Sequence, residues 1–477
     1  MERNIFKFGW MIGGMIVLLS CGNNSNKTIQ DVSNPSMVAY DTSLKSGVIT
    51  EKIVCKSDTS VSYALYLPSA YNAGTLFPVI YIFDPHADGL LPVSKYKDLS
   101  EKYGFIMIGS NNSKNGVAWE PINQTIKTMM DDSQNRLSID KNRIYTAGFS
   151  GGSRVASSVA IYDGGIRGVI GCSAGFPQLN KKLENKFDFI GIAGNEDFNM
   201  TEMKNLDKSL ETSGLRHQFI IFNGIHEWCP VEIFNQAFQW ILINEMEDKM
   251  IPLNNALVDE INNSYQKQIK ESEAKGDKYD AVILYKQLIS FLGGIIDVSS
   301  FKRSMDSLNN TSDVKMIMQQ KEEMEKKESA QQQEYASEIT TKDLSWWTNE
   351  VRQLNSLSKQ GNEEKYQMNK RLLGFLSLVA YSQSNNALNS NQLDKSENFI
   401  KLYAIIDPPN SEHSYMMATL YAKRNEVDKV FQSLNEAVKL GFDDVDRLNN
   451  DPVLSKLKSN KSFEDVVNAI KAKPVKK

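Results

Sequence analysis

Residues 143–152 read RIYTAGFSGG, an alternating stretch that runs straight into Gly148-Phe149-Ser150-Gly151-Gly152. A strand closed by G-x-S-x-G, with small residues after it, predicts a sharp turn into a helix, here over 153–161. The glycines leave space where a turn this tight has no room for side chains. The strained residue at its centre then pushes its hydroxyl out at the sheet edge. Ser150 is that residue, and the Gly151 N–H faces the point where an oxyanion would form. The start of a helix adds partial positive charge at the same place. Ser150 is the candidate nucleophile.

Working outward, the chain alternates strand-like and helix-like segments over residues 46–247. Residues 61–67 (VSYALYL) alternate and end at Pro68, and 77–83 (FPVIYIF) form a continuous apolar run closed by Asp84-Pro85. Continuous runs suit strands buried on both faces of a parallel sheet. Further strands are predicted at 104–108, 143–147, 168–171, 187–193 and 218–222, with helices at 93–103 and 117–137, between the last two strands and after Pro230. The expected fold class is α/β, a βα sheet with helices on both faces and ligands beyond the carboxyl ends of the strands.

A serine hydroxyl is a weak nucleophile and needs a base. The chain has four histidines, His86, His217, His226 and His413. His226 lies in Asn223-Gly224-Ile225-His226-Glu227-Trp228, just past the 218–222 strand and on the predicted rim that carries Ser150. It is the preferred base. The imidazole in turn needs a carboxylate to fix its tautomer and stabilise its charged form. Strand 187–193 ends in Gly194-Asn195-Glu196-Asp197, where Asp197 is favoured over Glu196 because its shorter side chain is the commoner orienting acid.

The order Ser150, Asp197, His226 resembles the α/β-hydrolase family, in which nucleophile, acid and base follow successive strands. The elbow, the G-x-x-D strand end and the G-x-H-E-W loop look closest to secreted esterases of the feruloyl-esterase, dienelactone-hydrolase and polyhydroxybutyrate-depolymerase type. The resemblance implies a serine carboxylic ester hydrolase with an acyl-enzyme on Ser150, a small or polymeric ester substrate, and no metal or organic cofactor. It also implies a second oxyanion donor in the loop after the third strand. That loop reads Asp84-Pro85-His86-Ala87-Asp88-Gly89, so the donor is expected at Ala87 or Asp88, with His86 structural or lining the pocket. Asn112 is a further possible pocket residue, and Trp228 either walls the pocket or packs in the core. A serine peptidase of the same fold and a non-catalytic binding lipoprotein are the alternatives.

Residues 1–21 differ from the rest. Arg3 and Lys7 precede an uncharged, mostly apolar run over 8–19 that is too short to span a membrane. It ends in Leu18-Leu19-Ser20-Cys21-Gly22, which resembles the lipobox of bacterial lipoproteins. The resemblance implies lipidation of Cys21, export, and an anchor in the outer membrane facing the periplasm or the cell surface. Residues 22–45, rich in Asn, Ser and Thr, read as a flexible tether. Cys55, Cys172 and Cys229 remain, either as one disulfide with a leftover thiol or as buried thiols.

Glycines thin out beyond Met250, and the strand-like runs stop. Residues 248–345 read as helices ending in a polar, solvated linker helix around Lys321-Glu322-Glu323-Met324-Glu325-Lys326-Lys327-Glu328. Residues 346–477 predict an all-α helical domain, with Trp346-Trp347 as a core anchor and Asp407-Pro408-Pro409-Asn410 between helix pairs. Residues 415–440 resemble tetratricopeptide repeats, which implies a surface for a protein partner. With 54 Lys plus Arg against 58 Asp plus Glu, the chain lacks the clustered positive charge of a nucleic-acid binder.

Overall fold

The computed structural model describes residues 41, 43–179, 183–358 and 363–472. Expectations about 1–21, the 22–40 part of the tether and Cys21 lie outside the described residues.

Eight strands form one sheet: β1 Ile49–Val54, β2 Ser62–Tyr66, β3 Phe77–Phe83, β4 Ile106–Ser110, β5 Ile139–Phe149, β6 Gly168–Cys172, β7 Asp188–Gly194 and β8 His217–Phe222. Their order is β1-β2-β4-β3-β5-β6-β7-β8. The β1–β2 and β2–β4 pairs are antiparallel, and every later pair is parallel. The buried apolar strands follow the sequence pattern closely, whereas β1 was not foreseen. Its sequence, ITEKIV, is half-polar because β1 is an edge strand with exposed side chains, so the apolar signal is weak.

Five helices cover this sheet: α1 Leu90–Tyr103, α2 Trp119–Arg136, α3 Gly151–Ser158, α4 Met200–Leu210 and α5 Val231–Glu247. The period of two along β3 divides the core. Ile80 and Ile82 pack with Val93 and Phe238 on the α1/α5 face, while Val79, Tyr81 and Phe83 pack with Ile126 and Ala156 on the α2/α3 face. Strand β3 is flanked by β4 on one side and β5 on the other, so the chain leaves in opposite directions after β3 and β5. The crevice at their carboxyl ends is the topological switch point, and Ser150 follows β5 there.

The apolar core does not stop at residue 247. Helices α6 Asn255–Ala274 and α7 Lys278–Leu292 join the same cluster through Ile261, Tyr265, Leu288 and Phe291. The cause lies in α5, which is buried over most of its surface and so needs apolar cover on a second side.

Helices α8 Ser299–Asn309, α9 Ser312–Glu338, α10 Leu344–Asn355, α11 Glu363–Asn389, α12 Leu393–Ile406, α13 Glu412–Lys423, α14 Val427–Lys439, α15 Val445–Asn450 and α16 Lys461–Lys471 complete the chain. Two apolar clusters hold most of them, one around the buried Trp347 and Leu376, the other around Leu434 and Val466, while Phe301, Met305 and Leu308 of α8 pack on the core shared by the sheet, α6 and α7. The expected solvated linker helix, α9, is partly exposed, but Glu328, Val314 and Tyr335 are buried in it. Charged residues three and four apart do describe its outer face, yet a 27-residue helix has an inner face too. Glu328 enters it because it meets Arg371 of α11.

Candidate active site

At the end of β5, Ser150 adopts φ 54° and ψ −121°, a conformation that costs a non-glycine residue about 1–3 kcal/mol. Close backbone packing enforces it. A Cβ on Gly148 would stand 2.1 Å from the Gly152 carbonyl oxygen, and one on Gly152 would stand 2.0 Å from that of Phe83. The Ser150 N–H donates to the Cys172 carbonyl oxygen on β6 at 2.8 Å, tying the turn to the neighbouring strand. As the first residue of α3, Gly151 has an N–H with no intrahelical acceptor.

The structure brings Ser150, Asp197 and His226 together. Ser150 Oγ lies 3.0 Å from His226 Nε2, and His226 Nδ1 lies 2.9 Å from Asp197 Oδ1. An ionised carboxylate only accepts hydrogen bonds, so Nδ1 carries the proton and Nε2 is left to accept from the serine hydroxyl. Asp197 is fully buried. Its Oδ1 also accepts the Asn199 N–H at 2.8 Å, while Oδ2 has no hydrogen-bond partner among the described residues.

The acid and base loops are laced to one another. The Asn195 N–H donates to the Phe222 carbonyl oxygen and the Glu196 N–H to that of Gly224. Asn195 Oδ1 accepts the Gly224 N–H at 3.2 Å. The His226 ring is held between two aromatics, Phe198 stacked at 4.2 Å and Phe149 tilted at 4.8 Å. Sequence reasoning missed both. They adjoin Asp197 and Ser150 in the chain, but nothing local marks them as the walls of a histidine slot.

The loop after β3 corrects several expectations. The Ala87 N–H donates to the Asp84 carbonyl oxygen at 3.1 Å, so that amide closes a turn and is not available as an oxyanion donor. The Asp88 N–H has no acceptor among the described residues, while the Asp88 side chain accepts from the Leu91 N–H at the start of α1. His86 does not line a deep pocket. Its side chain is 81% exposed and its Nδ1 lies 3.2 Å from Asp84 Oδ1; the hydrogen bond it donates to Asp84 raises its pKa. Trp228 packs in the core and donates from Nε1 to Asp84 Oδ2 at 2.8 Å. Asn112 is a strut, accepting from the Ser62 N–H and donating to the Ser60 carbonyl oxygen. Asn115, which like Asn112 lies in the loop after β4, stands beside the elbow instead: a Cβ on Gly151 would lie 1.7 Å from Asn115 Oδ1.

Of the remaining histidines, His217 Nδ1 pairs with Asp207 Oδ1 at 2.8 Å, and His413 sits on α13. Cys55, Cys172 and Cys229 are free, buried thiols. Burial pushes the Cys55 pKa up to about 11 and that of Cys172 well above the usual thiol range.

No protein-family model matches the chain, and no curated protein matches it. Solved structures resemble its sheet region at low identity. An S-formylglutathione hydrolase from Staphylococcus aureus is 13% identical with a TM-score of 0.34, the match covering 42% of this chain and 98% of that one. A Pyrobaculum calidifontis esterase is 12% identical with a TM-score of 0.35, over 43% and 87% of the two chains. Est1E from Butyrivibrio proteoclasticus is 13% identical with a TM-score of 0.33, over 41% and 99%.

Proposed function

We propose that the chain is a serine hydrolase that cleaves a carboxylic ester through an acyl-enzyme on Ser150. The observation that carries this reading is the unbroken chain from Ser150 Oγ through the His226 ring to Asp197, beside the open N-terminus of α3. In the first half-reaction His226 Nε2 takes the hydroxyl proton as Ser150 Oγ attacks the ester carbonyl carbon. Gly151 N–H and Asp88 N–H donate to the tetrahedral oxyanion; one such donor typically contributes ~3–4 kcal/mol to the transition state. The imidazolium, stabilised by Asp197, returns its proton to the departing alcohol. Water then attacks the acyl-enzyme with His226 again as base, releasing the acid and restoring Ser150. We further propose, on the lipobox-like sequence ending in Cys21, that the protein is exported and held at a membrane by lipid on that cysteine.

The test is reaction of the folded protein with a fluorophosphonate probe and with p-nitrophenyl acetate, wild type against Ser150→Ala. The expected result is phosphonylation on Ser150 and loss of both activities in the variant. Undiminished turnover by a folded Ser150→Ala protein would remove the mechanism. A panel of acylated sugars, aryl esters and peptide anilides then separates ester from peptide substrates.

A further inference from the structure

Helix α11 lies far from Ser150 in sequence, yet two of its residues reach the loop that carries Asp197. Arg371, buried to 5% exposure, donates from Nη1 to the Asn195 carbonyl oxygen at 2.5 Å. Its other nitrogens grip the fully buried Glu328 of α9, Nε to Oε1 at 2.9 Å and Nη2 to Oε2 at 2.6 Å. The guanidinium fork therefore has one arm left over, and that arm meets the acid loop. Three residues on, and so on the same face of the helix, Gly374 abuts Phe198: a Cβ there would lie 3.0 Å from Phe198 Cδ1. Phe198 is the ring stacked on His226, and Asn195 is the residue that laces the acid loop to the base loop. A second strut from α9, the Lys204–Glu325 ion pair, fastens the following helix α4 to the same helices.

We infer that the C-terminal helices are a working part of the active site, with Arg371 and Gly374 as positioning residues for the Asp197–His226 pair. Arg371 fixes the height of the acid loop by its backbone, and Gly374 fixes Phe198 against the imidazole. Neither touches substrate. The inference rests on the hydrolytic reading of Ser150, but its structural content concerns only the acid–base pair. It also gives a reason for the buried Glu328, which orients the guanidinium toward Asn195.

Arg371→Ala alone would leave Glu328 buried without a partner and endanger folding. The test therefore uses the paired variant Arg371→Met with Glu328→Gln, which removes both charges, and separately Gly374→Val, which removes no charge and no hydrogen bond. Each is read by circular dichroism, by the low-field proton resonance of the Nδ1–H between His226 and Asp197, and by ester kinetics. The expected result is folded protein with a shifted or lost low-field resonance, and kcat lowered about tenfold with KM within about twofold, as for a misplaced base. An unchanged resonance and unchanged kcat in folded Gly374→Val and folded paired variant would overturn the inference. Should the paired variant not fold, Gly374→Val decides alone. If the wild type shows no reaction with probe or ester, the hydrolytic reading falls, and the resonance still tells whether α11 positions the pair.

Discussion

Gly152→Ala is the sharpest test of how the elbow works, because its effect follows from backbone geometry alone. The added methyl carbon would stand 2.0 Å from the Phe83 carbonyl oxygen and 2.6 Å from its carbon, whereas such contacts essentially never fall below 3.0 Å. Both groups are backbone, one in the central strand β3 and the other in the first turn of α3, so no side chain can rotate away. The helix must withdraw from the strand by about 1 Å. Ser150 rides on that turn, and its hydroxyl now lies 3.0 Å from His226 Nε2. A misplacement of this size typically costs about 10²-fold in rate. Overpacking at such a site costs about 1–3 kcal/mol of stability. The assay is the rate of Ser150 phosphonylation by a fluorophosphonate together with the urea midpoint, with Gly74→Ala as control. At Gly74 the nearest atom to the new methyl lies 3.5 Å away, an ordinary contact, so that variant should behave as wild type. A Gly152→Ala protein that reacts and melts like wild type would refute the argument that close backbone packing sets the position of the nucleophile.

Two other outcomes follow from the sequence and the packing. Glu245 is fully buried, accepts both Arg143 Nε at 2.8 Å and Nη2 at 2.7 Å, and accepts the Tyr145 hydroxyl at 2.6 Å. Glu245→Gln leaves the mostly buried Arg143 without its counter-charge and should cost about 3 kcal/mol by urea denaturation; a loss under about 1 kcal/mol would contradict a buried pair. In a bacterial host, a fatty-acid analogue should label the full chain and fail to label Cys21→Ser, and equal labelling of the two would end the proposal of a lipid anchor.

The elbow was legible because its requirements are local. A strand, a turn without room for side chains and a helix follow one another within about twenty residues, and G-x-S-x-G states all three. The order of Ser150, Asp197 and His226 at strand ends was legible for a related reason: each lies close behind a largely apolar strand, and runs such as 77–83 mark such strands plainly, even though the edge strand β8 is only half buried. The loop after β3 was less legible, since the direction of an amide depends on turns rather than composition. Ala87, with φ 63°, turns its N–H back onto Asp84. Asn112 was placed near a pocket, and Trp228 left between pocket wall and core, by proximity in sequence to rim residues; side chains there point either way, and Asn112 turns to Ser62 while Trp228 takes the core position and donates to Asp84.

The amino-acid sequence by itself determined the alternation of strands and helices, the strained serine and the rim to which its partners belong, because periodicity and turn chemistry act over a few residues. Tertiary structure alone decided that Phe149 and Phe198 clasp the imidazole, that Glu328 is interior, and that Arg371 reaches Asn195. Those contacts join segments up to 176 residues apart. Whether such groups meet depends on how the whole helical region closes over the sheet, and no local pattern encodes that closure.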